Sequence, residues 1–203
     1  MSRATRKPPA ERRAELAAAA RAVALDEGLA AVTLRAVAAR AGVTPALVAH
    51  YHESMDGLVA ETFVSVVAAE LDELRALLAA ERDPVARLAG LVSTLLDGSR
   101  DDVTVIWVEA YALGRRNAEL GAAVRDQMDA WSDVIEDVIE SGVASGDFRT
   151  EDPRAAAWQL LGMIDGLNAQ ALVRWGGAAE RGPLLAHALE GMLGLGRGVL
   201  LAG

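Results

Sequence analysis

The chain has 203 residues, a formal net charge of −9 and a pI near 4.9, a length that suits one large domain or a small one joined to a medium one. Cysteine is absent, which excludes disulfides, thiolate catalysis, zinc–thiolate sites and iron–sulfur clusters. Apolar residues make up 52% and charged ones 24%, so a buried core is expected and wholesale disorder is not.

The chain starts basic. Residues 1–50 hold eight basic side chains (Arg3, Arg6, Lys7, Arg12, Arg13, Arg21, Arg35 and Arg40) against four acids, a net +4, while the remainder is −13. A basic head on an acidic body suggests two tasks on one chain, or simply a flexible basic tail. The run from Arg12 to Leu25 fails as an export signal because Glu15 and Arg21 interrupt it. No stretch of 18 uncharged apolar residues occurs, so no membrane span is expected. The reading is of a soluble, cytoplasmic protein.

From residue 10 onward apolar residues recur at three- and four-residue steps, and no alternating run is long enough for a strand. The predicted fold class is all-α, with about nine helices at 10–27, 34–41, 45–51, 55–80, 84–98, 102–113, 117–145, 153–175 and 183–200. Asp83-Pro84 and Asp152-Pro153 pair a capping carboxylate with a proline at the first helical position. Gly182-Pro183 opens the last helix, and Gly28, Gly42, Gly114 and Gly146 stand where helices should stop.

Two of these helices are too short to survive alone, and they hold the functional signal. Thr33 caps Leu34–Ala41, Gly42-Val43 makes a tight turn, and Thr44 with Pro45 starts a second helix through Tyr51. Val37, Ala38, Ala41, Val43 and Val48 are positioned to share a small core. This is the pattern of a helix-turn-helix, whose second helix enters the major groove. A helical hairpin in any bundle can show the same spacing.

The stretch TLRAVAARAGVTPALVAHYHESMDGLVAET, Thr33 to Thr62, resembles the DNA-binding signature of the tetracycline-repressor (TetR) family, and LDEGLAAV before it fits the family's first helix. WVEAYALGRRNAEL, SGVASGDFR and LLGMIDGLNAQALVRWG resemble the regulatory domain of the betaine-repressor-like (BetI-like) branch. The resemblance covers nearly the whole chain. It implies a homodimeric, ligand-responsive transcriptional repressor, not an enzyme and without a cofactor, with a DNA-binding domain at 1–54 and a ligand-binding and dimerisation domain at 55–203. Its partners would be double-stranded operator DNA, a cationic or aromatic small-molecule effector and a second copy of the chain.

Carried over by position, Thr33 and Thr44 donate hydroxyls to phosphates at two helix starts. Arg35 reaches a base edge or phosphate, Pro45, Ala46, Ala49 and His50 face the groove, and Tyr51 bonds a phosphate. Two positions depart from the family. His52 stands where phenylalanine is usual, and Met55 where a lysine normally grips a phosphate. The second change implies weaker or more selective DNA binding.

Other chemistry is poorly supported. His50 and His52 point about 200° apart on a helix and do not share a face, so no metal site is expected. The serines lack a nucleophile-elbow pattern, and the paired Glu-x-x-His motifs of a di-metal bundle are missing. Asp126, Asp129, Asp133, Glu136, Asp137 and Glu140 read as a solvated helix face. An effector site is expected around Trp107, Tyr111, Trp131 and Trp158, with Phe63, Met128, Met163 and Asn168 as further lining. Aromatics at helical spacing serve equally well as plain core. The dimer interface is assigned to the last two helices, through Gly162 and Gly166 on one and Gly194 and Gly198 on the other. The alternative function is a helical small-molecule-binding or interaction protein whose helix-turn-helix no longer binds DNA.

Overall fold

The computed structural model describes residues 7–176 and 178–201. Among them are nine α-helices and no strand. They are α1 (Pro9–Glu27), α2 (Leu34–Ala41), α3 (Pro45–Tyr51), α4 (Met55–Ala80), α5 (Pro84–Leu96), α6 (Asp101–Leu113), α7 (Ala118–Ser145), α8 (Pro153–Leu172) and α9 (Ala178–Met192). Short 3-10 turns follow α1 (Leu29–Ala31) and close the chain (Val199–Leu201).

Helix starts follow local chemistry. The Thr33 hydroxyl accepts the Ala36 amide at 3.1 Å, and Thr44 accepts Leu47 at 3.3 Å. Asp83 accepts Val85 at 3.1 Å and Asp152 accepts Ala155 at 2.9 Å, each just before a proline. α2 stops at Gly42, whose left-handed φ of 66° lets the Val43 amide reach the Ala38 carbonyl at 2.9 Å.

The bounds of the last two helices differ from expectation. α8 ends at Leu172 rather than 175, because Arg174 takes φ 58° and the Trp175 amide folds back onto Gln170 at 3.2 Å. That closure is normally glycine's, so the sequence offers no stop signal there. α9 begins before the Gly182-Pro183 step and ends at Met192, not 200. Gly194 (φ 65°) ends α9, with the Leu195 amide bonded to the Glu190 carbonyl at 2.8 Å. Gly198 (φ 84°) lies in the turn beyond. There the amides of Gly198 and Leu200 hold the Glu190 carboxyl below its ordinary range. Gly194 and Gly198 are therefore not one turn apart on a helix face, as the interface expected of them requires, because both take left-handed φ beyond the end of α9. Gly114 has no left-handed φ. A Cβ there would stand 2.9 Å from the Ala110 carbonyl and 3.2 Å from Gly121 Cα, so it serves close backbone approach.

The chain forms two compact units, one of residues up to Val67 with Val105–Val124, the other of Ala68–Thr104 and the chain from Arg125 onward. This line differs from the sequential boundary at 54/55. In the first unit Leu16, Val23, Val37, Val48, Phe63 and Ile106 are buried. Val37, Ala38 and Val48 join α2 to α3 as the pattern requires, with Ala41 and Val43 half-buried. In the second unit α5 packs against α8, α9 and the closing turn, burying Leu88, Leu91, Leu160, Leu185 and Leu189. Among the described residues no helix is long and apolar enough to cross a membrane.

Candidate nucleic-acid interface and effector site

The first unit presents the surface expected to meet DNA. Thr33, Arg35, Thr44, Pro45, Ala46, Ala49 and His50 are exposed, and Tyr51 and Met55 are half-buried. Both threonines cap helix starts, so their hydroxyls sit beside free amides at the positive ends of α2 and α3. Tyr51 is held by its neighbours: the His50 ring meets it edge-on at 5.4 Å, and the Arg13 guanidinium stands over it at 5.8 Å. Residue patterns do not reveal that Arg13 contact, because it joins α1 to α3 across 38 positions.

The structure also narrows which cations are free for phosphates. Arg40 pairs with Asp26 at 2.7 Å and Glu27 at 3.3 Å. Lys7 and Arg12 both pair with Glu15, and Arg21 donates to the Ser65 carbonyl. Arg3 and Arg6 lie outside the described residues. Arg35 remains the exposed cation at the start of α2.

His52 closes α3 and is turned inward. Its side chain is 5% exposed, with Nδ1 3.1 Å from the Glu61 carboxylate. Its Nε2 is buried without a partner, and the ring borders a void of about 30 Å³ with Ala17, Leu58 and Thr62. An unsatisfied buried acceptor costs ~1–3 kcal/mol, more than the exposed pairing with Glu61 returns. His52→Phe should therefore raise thermal stability, by ~2–4 °C for each kcal/mol recovered. A lower melting temperature would show that the Glu61 contact dominates. Met55 opens α4 with its side chain half-buried. Met55→Lys is expected to steepen the log–log salt dependence of DNA binding by ~0.9, one added phosphate contact. An unchanged slope would place residue 55 away from the backbone.

The expected effector residues divide between the units. In the first, Phe63 meets Trp107 edge-on at 5.0 Å, and Trp107 lies 5.8 Å from Tyr111. These three form a continuous aromatic cluster, with Phe63 fully buried. In the second, Met128 and Trp158 line an open groove of about 600 Å³ that also includes Asp129, Ser132 and Arg154. Trp158, expected to line the effector site, is 72% exposed on the wall of this groove. Trp131 is buried with its indole N–H unpaired, and the Gln127 side-chain carbonyl one turn away is likewise unpaired. Buried polar atoms left this way call for a water or ligand partner, and Gln127 was not among the expected residues. Met163 is half-buried. Asn168 is tied up within the fold, donating to the Leu95 carbonyl at 2.9 Å and accepting from Arg181 at 3.5 Å. Of the acidic face of α7, Asp126, Asp129, Asp133, Asp137 and Glu140 are exposed. Among the described residues no cluster of His, Cys, Asp or Glu has metal-holding geometry.

The architecture is a capped helix-turn-helix followed by a larger all-helical region, which suits a DNA-binding regulator. Comparison with known proteins gives the family. Residues 16–62 match bacterial regulatory proteins of the tetR family, and residues 84–194 match the C-terminal region of BetI-type transcriptional repressors. The chain belongs to the TetR family. It is 32% identical over 114 residues to the HTH-type transcriptional regulator BetI of Rhizobium meliloti (strain 1021), a match spanning 55% of this chain and 56% of that relative. It thus spans little more than half the length of that curated relative. Its fold is similar to that of a transcriptional regulator from Saccharomonospora viridis solved in complex with choline, with a TM-score of 0.79, 24% identity and coverage of 91% and 98% of the two chains. A transcriptional regulator from Rhodococcus sp. Rha1 is similar at a TM-score of 0.66, 26% identity and coverage of 90% and 94%.

Proposed function

We propose that the chain is a homodimeric transcriptional repressor that binds a two-half-site operator through α2 and α3 and leaves it when a small organic cation binds. Residues 1–54 contact DNA, and 55–203 serve dimerisation and sensing. The observation that carries this reading is the exposed surface from Thr33 to Tyr51, built on two capped helices with Arg35 at its edge. Two such surfaces about 34–36 Å apart would read successive major grooves. An effector that favours the conformer with a different spacing shifts the population off DNA.

The cationic class is supported by the Phe63–Trp107–Tyr111 cluster, since aromatic faces attract quaternary ammonium groups within ~6 Å. The related Saccharomonospora viridis regulator was solved with choline, which makes choline the first ligand to try.

The decisive experiment uses an operator selected from random DNA by the protein itself. Arg35→Ala and Tyr51→Phe should each weaken binding, Arg35→Ala by ~1–3 kcal/mol if it touches a base, and neither should alter thermal unfolding much. Wild-type affinity in both variants would overturn the placement of the DNA surface. A second reading, an interaction protein without DNA binding, is favoured by Met55, the net charge of −9 and the ion pairing of Lys7, Arg12 and Arg40. A salt-dependent mobility shift on genomic fragments separates the two.

A further inference from the structure

The segment Val105–Val124, which ends α6 and begins α7, belongs to the same compact unit as α1–α3. It meets that part of the chain through two carboxylates, one beside Gly28 and one beside Gly57 at the start of α4. The Glu109 Oε2 atom accepts the Ala30 amide at 3.1 Å, at the free start of the 3-10 turn after α1. A Cβ on Gly28 would stand 2.9 Å from Glu109 Oε1. The second contact lies at the joint between α3 and α4. There Glu119 Oε1 accepts the Ser54 hydroxyl at 3.0 Å, and Ser54 Oγ in turn accepts the Gly57 amide at 2.8 Å. A Cβ on Gly57 would stand 2.9 Å from Glu119 Oε2. Asn117, itself buried, adds a bond from Nδ2 to the Asp56 carbonyl at 3.2 Å. Gly57 lies in the first turn of α4, where an added side chain would oblige the Glu119 carboxylate to shift.

We propose that Glu109 and Glu119 are positioning residues that clamp the helix-turn-helix at both ends against the α6–α7 hairpin and thereby set the half-site spacing the protein accepts. One attachment would leave a pivot; two, at the turn after α1 and at the start of α4, fix an orientation. Both are charge-assisted bonds to donors at helix starts, the stronger kind of polar contact. Neither residue belongs to the DNA-facing surface, so the clamp acts on geometry and not on base preference. The consequence for spacing rests on the proposed reading of the head as DNA-binding, whereas the clamp itself does not.

The test has two arms. Because the chain has no cysteine, Ala39→Cys and Ala118→Cys provide unique sites for spin labels, one on α2 and one on α7. Pulsed dipolar spectroscopy should give a narrow distance distribution in the otherwise wild-type protein. Glu109→Ala with Glu119→Ala should broaden it, and Glu109→Gln with Glu119→Gln should keep it narrow, since an amide oxygen still accepts both bonds. In the second arm, the unlabelled proteins bind the selected operator and a version with one base pair inserted between half-sites. The alanine pair should reduce the penalty for the insertion by about tenfold, within the usual range of coupling between sites, while half-site base preference is retained. A narrow distribution in the alanine pair overturns the clamp, and so does equal broadening in the glutamine pair. Broadening without relaxed spacing overturns the consequence for the operator. Failure of the wild-type protein to select any DNA refutes the DNA-binding reading, and the distance arm still decides the clamp.

Discussion

Gly166→Leu is expected to convert a dimer into monomers in sedimentation equilibrium and to weaken binding to a two-half-site operator by ~10²–10⁴, the avidity lost when two linked contacts become one. Gly162 and Gly166 stand one turn apart in α8, and a Cβ at either would meet no atom within 4 Å. Nothing in the protomer requires glycine there, yet each costs ~1 kcal/mol relative to alanine in a helix. Their surroundings are apolar and uncovered: Trp158 on the same face is 72% exposed, and Val173 just past the helix end is 77% exposed. On α9, Leu184 is 61% exposed, and Gly191, two turns further on, also has open space. Exposed apolar faces of this kind mark partner sites, and small residues allow a second helix to come close. A side chain at 166 starts into open space in the isolated chain, so helicity in circular dichroism should persist. An intact dimer with unchanged operator affinity would defeat the assignment.

Gly142→Ala should lower stability by ~1–3 kcal/mol or more, the range for forcing extra volume into a packed core. With ~2–4 °C per kcal/mol for a chain of this size, the melting temperature should fall by several degrees. Gly142 is buried near the end of α7, and an added Cβ would fall within the Phe148 ring. That ring is 2% exposed, and its own amide bonds the Gly142 carbonyl at 2.9 Å. Ring and helix are thus locked together, leaving the methyl no room. Thermal unfolding followed by circular dichroism checks this, and an unchanged midpoint would mean that Phe148 has another place to go.

Much of this architecture is written locally. Capping involves residues two or three apart, so Thr33, Thr44, Asp83 and Asp152 announce the helices they start. The stripe Leu120, Val124, Trp131, Ile135 and Val138 reads as one helix face because 3.6-residue periodicity is a property of consecutive residues, and that face is the buried one. The helix-turn-helix is legible for the same reason: its caps, its left-handed Gly42 and its small core all lie within 19 residues.

Periodicity tells that a side chain is on an apolar face, but not which neighbour covers that face. Trp158 and Leu161 therefore look alike in sequence, though one is 72% and the other 7% exposed. The glycines divide in the same way. Gly42 and Gly28 are explained by their own turns, at φ 66° and 91°, whereas Gly142 answers to a ring six residues on. Equally, Arg40 counts towards the basic head in sequence, while in the fold it pairs with Asp26 and Glu27. The sequence by itself determined the all-helical class, the capped helix starts and the turn between α2 and α3, because those depend on neighbours along the chain. Only the tertiary structure decided which cations stay free, which aromatics meet and which glycines make room for a distant side chain, because those depend on groups brought together by folding.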